Sequence, residues 1–167
     1  MRSETEMMNL ILNTAKNDAR IRAVIMNGSR ANPNAPRDMF QDYDIVYIVK
    51  NLDEFIKGYS YVDIFGPRLM LQMPETMREP MGDGRFTYLT LLADGNRIDL
   101  QIIPIEKWKM LVEKDSESIL LLDKDGLLPP FPPNSDKDYH INPVSYTHLD
   151  VYKRQALNRI CGTNGIY

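Results

Sequence analysis

The sequence has little of what stabilises small secreted proteins or anchors proteins in membranes. Its 167 residues include one cysteine, Cys161, so no disulfide can form within the chain. No apolar run approaches the roughly 20 residues that a membrane-spanning helix needs. The first residues, MRSETE, lack the apolar core of a signal peptide. We therefore expect a cytoplasmic protein with no membrane partner.

The chain also lacks an excess of positive charge. Lys and Arg number 20 against 23 Asp and Glu, which gives a formal net charge of −3. Binding to a nucleic acid backbone needs clustered Lys and Arg, so we expect no nucleic acid partner. A length of 167 residues suits one ordinary domain, with or without a tail, and we expect a monomer.

Residues 27–46, NGSRANPNAPRDMFQDYDIV, hold the most informative pattern. The Gly28-Ser29 pair closes one apolar run, and Asp42 and Asp44 open the next. Side chains at positions i and i+2 of a strand share a face, so these two carboxylates would aim at one point. Close carboxylates repel each other, and Mg²⁺ is the oxygen-seeking cation that accompanies phosphates. The pattern predicts a site for a nucleoside triphosphate and its metal ion.

A third acid strengthens this hypothesis. Residues 87–103 read as a β-hairpin, because Asp94-Gly95 is a strong hairpin-turn signal between two apolar runs. On the return strand, Asp99 stands alone between Ile and Leu, where a buried acid is costly. If this strand lies beside the Asp44 strand, Asp99 completes a carboxylate triad. The alternative is an edge-strand surface acid paired with Arg97.

These residues resemble the nucleotidyltransferase superfamily, whose signature is a Gly-Ser turn, a short spacer, Asp-x-Asp and a later strand acid. The longer segments MNGSRANPNAP, GRFTYL, DGNRIDL and LLLDKDG resemble the aminoglycoside 6-adenylyltransferases, or streptomycin adenylyltransferases, over roughly residues 1–141. The resemblance implies an α+β, α/β-like nucleotidyltransferase fold, in which helices flank a short twisted mixed sheet.

The resemblance also implies a reaction, the transfer of AMP from ATP to the 6-hydroxyl of a streptomycin-type aminoglycoside, which confers antibiotic resistance. It implies that the Mg²⁺ ligands and catalytic groups are Asp42, Asp44 and Asp99, with Asp99 as the general base. It implies that the nucleotide-binding residues are Gly28, Ser29 and Arg30. A solvated arginine is the alternative for Arg30, since exposed Arg is common.

Two other functions remain open. One is a nucleotidyltransferase fold that modifies a protein or a nucleic acid, and the other is a nucleotide-binding domain without activity. Loop acids at Asp38, Glu75, Glu79 and Asp83 would attract a polycationic acceptor if they border its cleft, although solvated loop charge is the simpler reading for each.

We expect three parts along the chain. Residues 1–128 form the nucleotidyltransferase domain, residues 129–142 form a Pro-rich linker toward a helical domain that is missing, and residues 143–167 form a foreign read-through tail. Within the domain, a capping box at Ser3 and Glu6 starts a helix that ends near Asp18. Another helix follows Pro104 and covers residues 105–114.

Overall fold

The computed structural model of this protein describes residues 1–35, 37, 41–77, 82–111, 117–133 and 135. The predicted tail and most of the predicted linker lie outside these residues, as do Asp38 and Glu79. The division of the chain after residue 128 therefore stays a prediction.

A six-stranded sheet forms the centre of the described part of the chain. Its strands are β1 (Ile21–Asn27), β2 (Tyr43–Val49), β3 (Arg68–Gln72), β4 (Phe86–Leu92), β5 (Arg97–Pro104) and β6 (Ile119–Asp123). Their order is β3-β4-β5-β2-β1-β6, and β2 runs parallel to β5 while the other pairs are antiparallel. The sheet is mixed, as predicted, and the fold is α+β.

Short helices connect the strands. The α-helices are α1 (Glu4–Asn17), α2 (Asp53–Ile56) and α3 (Trp108–Leu111), and 3₁₀ turns cover Lys57–Tyr59, Tyr61–Phe65, Pro74–Thr76 and Ile105–Lys107. The predicted capping box at Ser3 and Glu6 is confirmed, and α1 ends where expected. The helix predicted over residues 105–114 begins as a 3₁₀ turn, and its described part ends at Leu111.

The sheet buries different side chains on its two faces because successive residues of a strand point in opposite directions. On one face α1 packs against Tyr43, Tyr47 and their neighbours, and the Tyr47 hydroxyl donates to the Ile11 carbonyl at 2.8 Å. The other face carries a smaller cluster around Trp108 and Val46. No helix in the described part is long and apolar enough to cross a bilayer.

Candidate active site

The strand register brings two of the three predicted acids together. Asp44 of β2 and Asp99 of β5 are directly paired in the parallel ladder, so both side chains leave the same face of the sheet. This is the face that carries the Trp108 cluster further along the strands. β5 lies between β4 and β2, so the interpretation of Asp99 as an edge-strand acid is wrong. Its predicted pairing with Arg97 is nevertheless present.

Asp42, the third acid, lies directly before β2, and Arg97 bridges it to Asp99. The Arg97 guanidinium contacts Asp42 Oδ2 from Nη1 at 3.1 Å and Asp99 Oδ2 from Nη2 at 2.9 Å. Its Nε also donates to Asp99 Oδ1 at 3.2 Å. One cation thus spans two carboxylates of the triad, with its own side chain 45% exposed.

The electrostatics of the triad are those of acids crowded together at the edge of a protein core. Burial raises the pKa of Asp44 from its ordinary 3.8 to about 7, and the nearby charges of Asp99 and Asp42 push it in the same direction. Burial also raises the pKa of Asp99, against the opposing effect of Arg97. The ionised triad therefore needs more positive charge than Arg97 alone supplies.

Gly28 is pressed against Asp44. It follows β1 with φ +73°, and a Cβ placed on it would lie 2.5 Å from Asp44 Oδ2. Only glycine combines that backbone angle with that close approach. The turn is closed by a hydrogen bond from the Ala31 N–H to the Gly28 carbonyl at 2.9 Å, and Ser29 Oγ accepts one from Gln41 Nε2 at 3.3 Å. The turn and the triad are therefore neighbours, while phosphate binding by Gly28 and Ser29 stays a prediction.

Arg30 is held by the protein itself. It is 8% exposed, so the solvated alternative does not apply. Its guanidinium donates to the carbonyls of Gln41 at 2.8 Å and Asp42 at 3.0 Å, and it lies 3.9 Å from the centre of the Tyr43 ring. These contacts fix the segment that enters β2. A phosphate contact by Arg30 stays a prediction, and it requires some of these bonds to be shared or released.

The two loop acids that the structure describes have structural partners. Glu75 accepts hydrogen bonds from the Thr87 N–H and hydroxyl, both at 2.9 Å, where β3 no longer pairs with β4. Asp83 pairs with Arg85 at 2.7 Å, and its pKa is lowered by the hydrogen bonds and charge of Arg85, although burial opposes them. Neither is simply a solvated loop charge.

Sequence reasoning missed two residues of the site. One is Arg97 as a bridge to Asp42, a contact that needs the parallel pairing of β2 with β5. The other is Asn27, the last residue of β1, which pairs with Asp44 across the sheet and so faces the same side. Its Oδ1 is buried and accepts no hydrogen bond from the described residues. The sequence signal that could have identified Asn27 is its position at the end of a predicted strand, directly before Gly28-Ser29.

The donor set suits Mg²⁺, because it consists of oxygen atoms from three carboxylates with a further unpaired amide oxygen beside them. Among the described residues, however, no three acidic, His or Cys side chains already stand in a metal-ligating arrangement. The carboxylates that Arg97 spans would have to exchange that contact for a metal ion.

Comparisons with known proteins identify the family of this chain. The sequence profile described as streptomycin adenylyltransferase matches residues 1–152 and so reaches into the predicted tail. Curated aminoglycoside 6-adenylyltransferases from Campylobacter jejuni and Bacillus subtilis (strain 168) are 45% and 43% identical over 90% of this chain, covering 52% and 54% of their own lengths. The chain thus spans about half the length of these relatives.

A solved structure shows a similar fold. The crystal structure of an aminoglycoside 6-adenyltransferase from Bacillus subtilis superimposes with a TM-score of 0.63 at 37% identity, over 78% of this chain and 44% of that one. The fold of this chain is thus similar to that of an adenylyltransferase. Together, these matches and the paired acids beside the glycine turn show that the chain belongs to the streptomycin adenylyltransferase family.

Proposed function

We propose that this chain carries the nucleotidyl-transfer site of an aminoglycoside 6-adenylyltransferase. The reaction moves AMP from ATP to the 6-hydroxyl of a streptomycin-type aminoglycoside, and this modification of the drug confers antibiotic resistance. One observation carries the proposal, namely the direct pairing of Asp44 with Asp99 on the sheet face that Gly28 also approaches. The relatives that share this half of the sequence are named for the same activity.

The residues divide the chemistry between them. The acceptor hydroxyl oxygen attacks the α-phosphorus of ATP, the bond to pyrophosphate breaks, and Asp99 takes the hydroxyl proton. Its raised pKa suits a base, because a carboxylate that is costly to keep ionised accepts a proton more readily. Asp42, Asp44 and Asp99 would hold Mg²⁺, which when bound supplies positive charge to the triphosphate and to the leaving pyrophosphate.

The turn after β1 places the nucleotide. Gly28 has no side chain to keep a phosphate from its backbone, and its left-handed φ is typical of turns whose N–H groups bind anions. Ser29 adds a hydroxyl, which among the described residues accepts a hydrogen bond from the Gln41 amide. The triphosphate would lie over the surface that this turn and the triad share, with its α-phosphorus toward Asp99.

The test is adenylylation of streptomycin by the whole 167-residue chain, followed by mass spectrometry of the drug. We expect a gain of one adenylyl group that requires ATP and Mg²⁺. Asp42→Asn and Asp44→Asn should each abolish the gain while the circular dichroism spectrum stays unchanged. Asp63→Asn is the matched control, since this acid is 47% exposed and pairs with Arg68 away from the triad. Normal activity in either triad variant would contradict the metal assignment.

A further inference from the structure

Arg97 occupies the place that a cation shared by Asp42 and Asp99 would take. The guanidinium reaches one carboxylate at 3.1 Å and the other at 2.9 Å, so it separates two groups that would otherwise repel each other. These acids are 27% and 16% exposed, and water screens their charges only in part. In the described part of the chain, no ready-made metal site stands beside this bridge.

Arg97 and Arg30 differ in their exposure and in the groups that their guanidinium groups contact. Arg30 is 8% exposed, and besides an ion pair with Glu4 at 3.3 Å it donates to the backbone carbonyls of Gln41 and Asp42. Arg97 is 45% exposed, and it contacts carboxylate oxygens of the Asp42 and Asp99 side chains. A long side chain with an exposed head can leave such partners by rotation alone. The Arg97 guanidinium can therefore exchange its partners, whereas the Arg30 guanidinium is fixed in place.

We infer that Arg97 is a displaceable counter-cation of the triad, which competes with divalent metal ions for Asp42 and Asp99. This inference rests on the proposed function, because it uses the same carboxylates as metal ligands. Without a metal ion, Arg97 keeps the acids together. When a metal ion enters, the guanidinium leaves Asp42, and the triphosphate of an incoming nucleotide offers it a new anionic partner.

The exchange couples metal binding to nucleotide binding. A bare divalent ion must displace Arg97 without compensation, so it binds weakly. A nucleotide that accepts the guanidinium removes that competition and strengthens metal binding, and by linkage the metal ion strengthens nucleotide binding by the same factor. Arg97 is thus a positioning residue that favours joint loading of the metal ion and the nucleotide.

The test is the affinity for Mn²⁺ without nucleotide, measured on the whole chain from the electron paramagnetic resonance signal of the free ion. We expect Arg97→Gln to bind Mn²⁺ about tenfold more tightly than the unchanged protein, because a competing cation is gone; tenfold corresponds to about 1.4 kcal/mol. Arg97→Lys introduces a point charge that cannot span both acids. Its Mn²⁺ affinity should lie between those of the unchanged protein and Arg97→Gln. Arg68→Gln, which removes an exposed ion pair with Asp63, should change nothing.

A second measurement addresses the coupling. A non-hydrolysable ATP analogue should strengthen Mn²⁺ binding to the unchanged protein more than to Arg97→Gln. Equal or weaker Mn²⁺ binding by a folded Arg97→Gln variant, at a site that Asp44→Asn abolishes, would overturn this inference alone. Mn²⁺ binding that Asp44→Asn leaves intact would overturn the metal site itself, and the proposed function with it.

Discussion

Replacement of Gly28 by alanine tests how closely the turn after β1 must approach the triad. The new Cβ would lie 2.5 Å from Asp44 Oδ2, a separation that real contacts do not reach, so Asp44 or the turn must move. The φ of +73° adds a backbone cost of roughly 1–2 kcal/mol for any residue other than glycine. Rotation of Asp44 away from its present position adds roughly 0.5–1.5 kcal/mol.

Gly58 provides a matched control. Its φ is +72°, almost the same as that of Gly28, but a Cβ there meets nothing within 4 Å. Gly58→Ala therefore carries the backbone cost without the contact. In urea titrations we expect Gly58→Ala to lose about 1–2 kcal/mol of unfolding free energy. Gly28→Ala should lose roughly 1 kcal/mol more than Gly58→Ala.

Activity should separate the two variants far more clearly than stability. A displacement of about 1 Å at a reacting group can cost on the order of a hundredfold in rate. We expect Gly28→Ala to lose about that much AMP transfer to streptomycin, and Gly58→Ala to transfer AMP at the normal rate under conditions in which both are folded. Equal rates in the two variants would contradict this prediction, because the approach of Gly28 to Asp44 would then have no functional consequence.

Three further predictions concern the triad and its support. Since the pKa of Asp44 is raised to about 7, the folded state holds a proton that the unfolded state releases near pH 4. Asp44 should therefore lower the unfolding free energy of the metal-free protein by a few kcal/mol at most as pH rises from about 4 to about 7. In urea titrations Asp44→Asn should remove this contribution and leave that of Asp99, whose pKa burial also raises. Asp99→Asn should lower the rate of AMP transfer far more than the affinity for ATP, and a large loss of ATP affinity at an unchanged rate would contradict its role as base. Arg30→Met should cost about 2 kcal/mol of unfolding free energy by leaving the Gln41 and Asp42 carbonyls without their donor, whereas Arg68→Met at the surface should cost less than about 0.5 kcal/mol.

The sequence predicted most of the sheet because its signals are local. Asp94-Gly95 marks the β4–β5 turn, and the apolar runs mark the strands. The adjacency of Asp44 and Asp99 was a conditional prediction that the parallel pairing of β2 and β5 confirms. Tyr61–Phe65, an apolar segment in the sequence, forms a 3₁₀ turn whose Val62 and Phe65 are buried, because so short a run has no readable period.

The partners of charged side chains were harder to predict. The bonds of Arg30 to the Gln41 and Asp42 carbonyls join residues 11 and 12 positions apart across an irregular loop. The bonds of Glu75 to Thr87 depend on where β3 stops pairing with β4. Such contacts depend on where strands stop pairing and on the path of the loops between them. Residue patterns do not encode these features directly.

The fate of labelled phosphate decides whether this chain transfers AMP to the drug. The whole chain is incubated with streptomycin and Mg²⁺, once with ATP labelled at the α-phosphate and once with ATP labelled at the γ-phosphate. We expect the drug to take up the α-label only, the γ-label to leave as pyrophosphate, and Asp44→Asn to abolish the uptake. Transfer of the γ-label to the drug, or undiminished α-label in Asp44→Asn, would contradict this expectation.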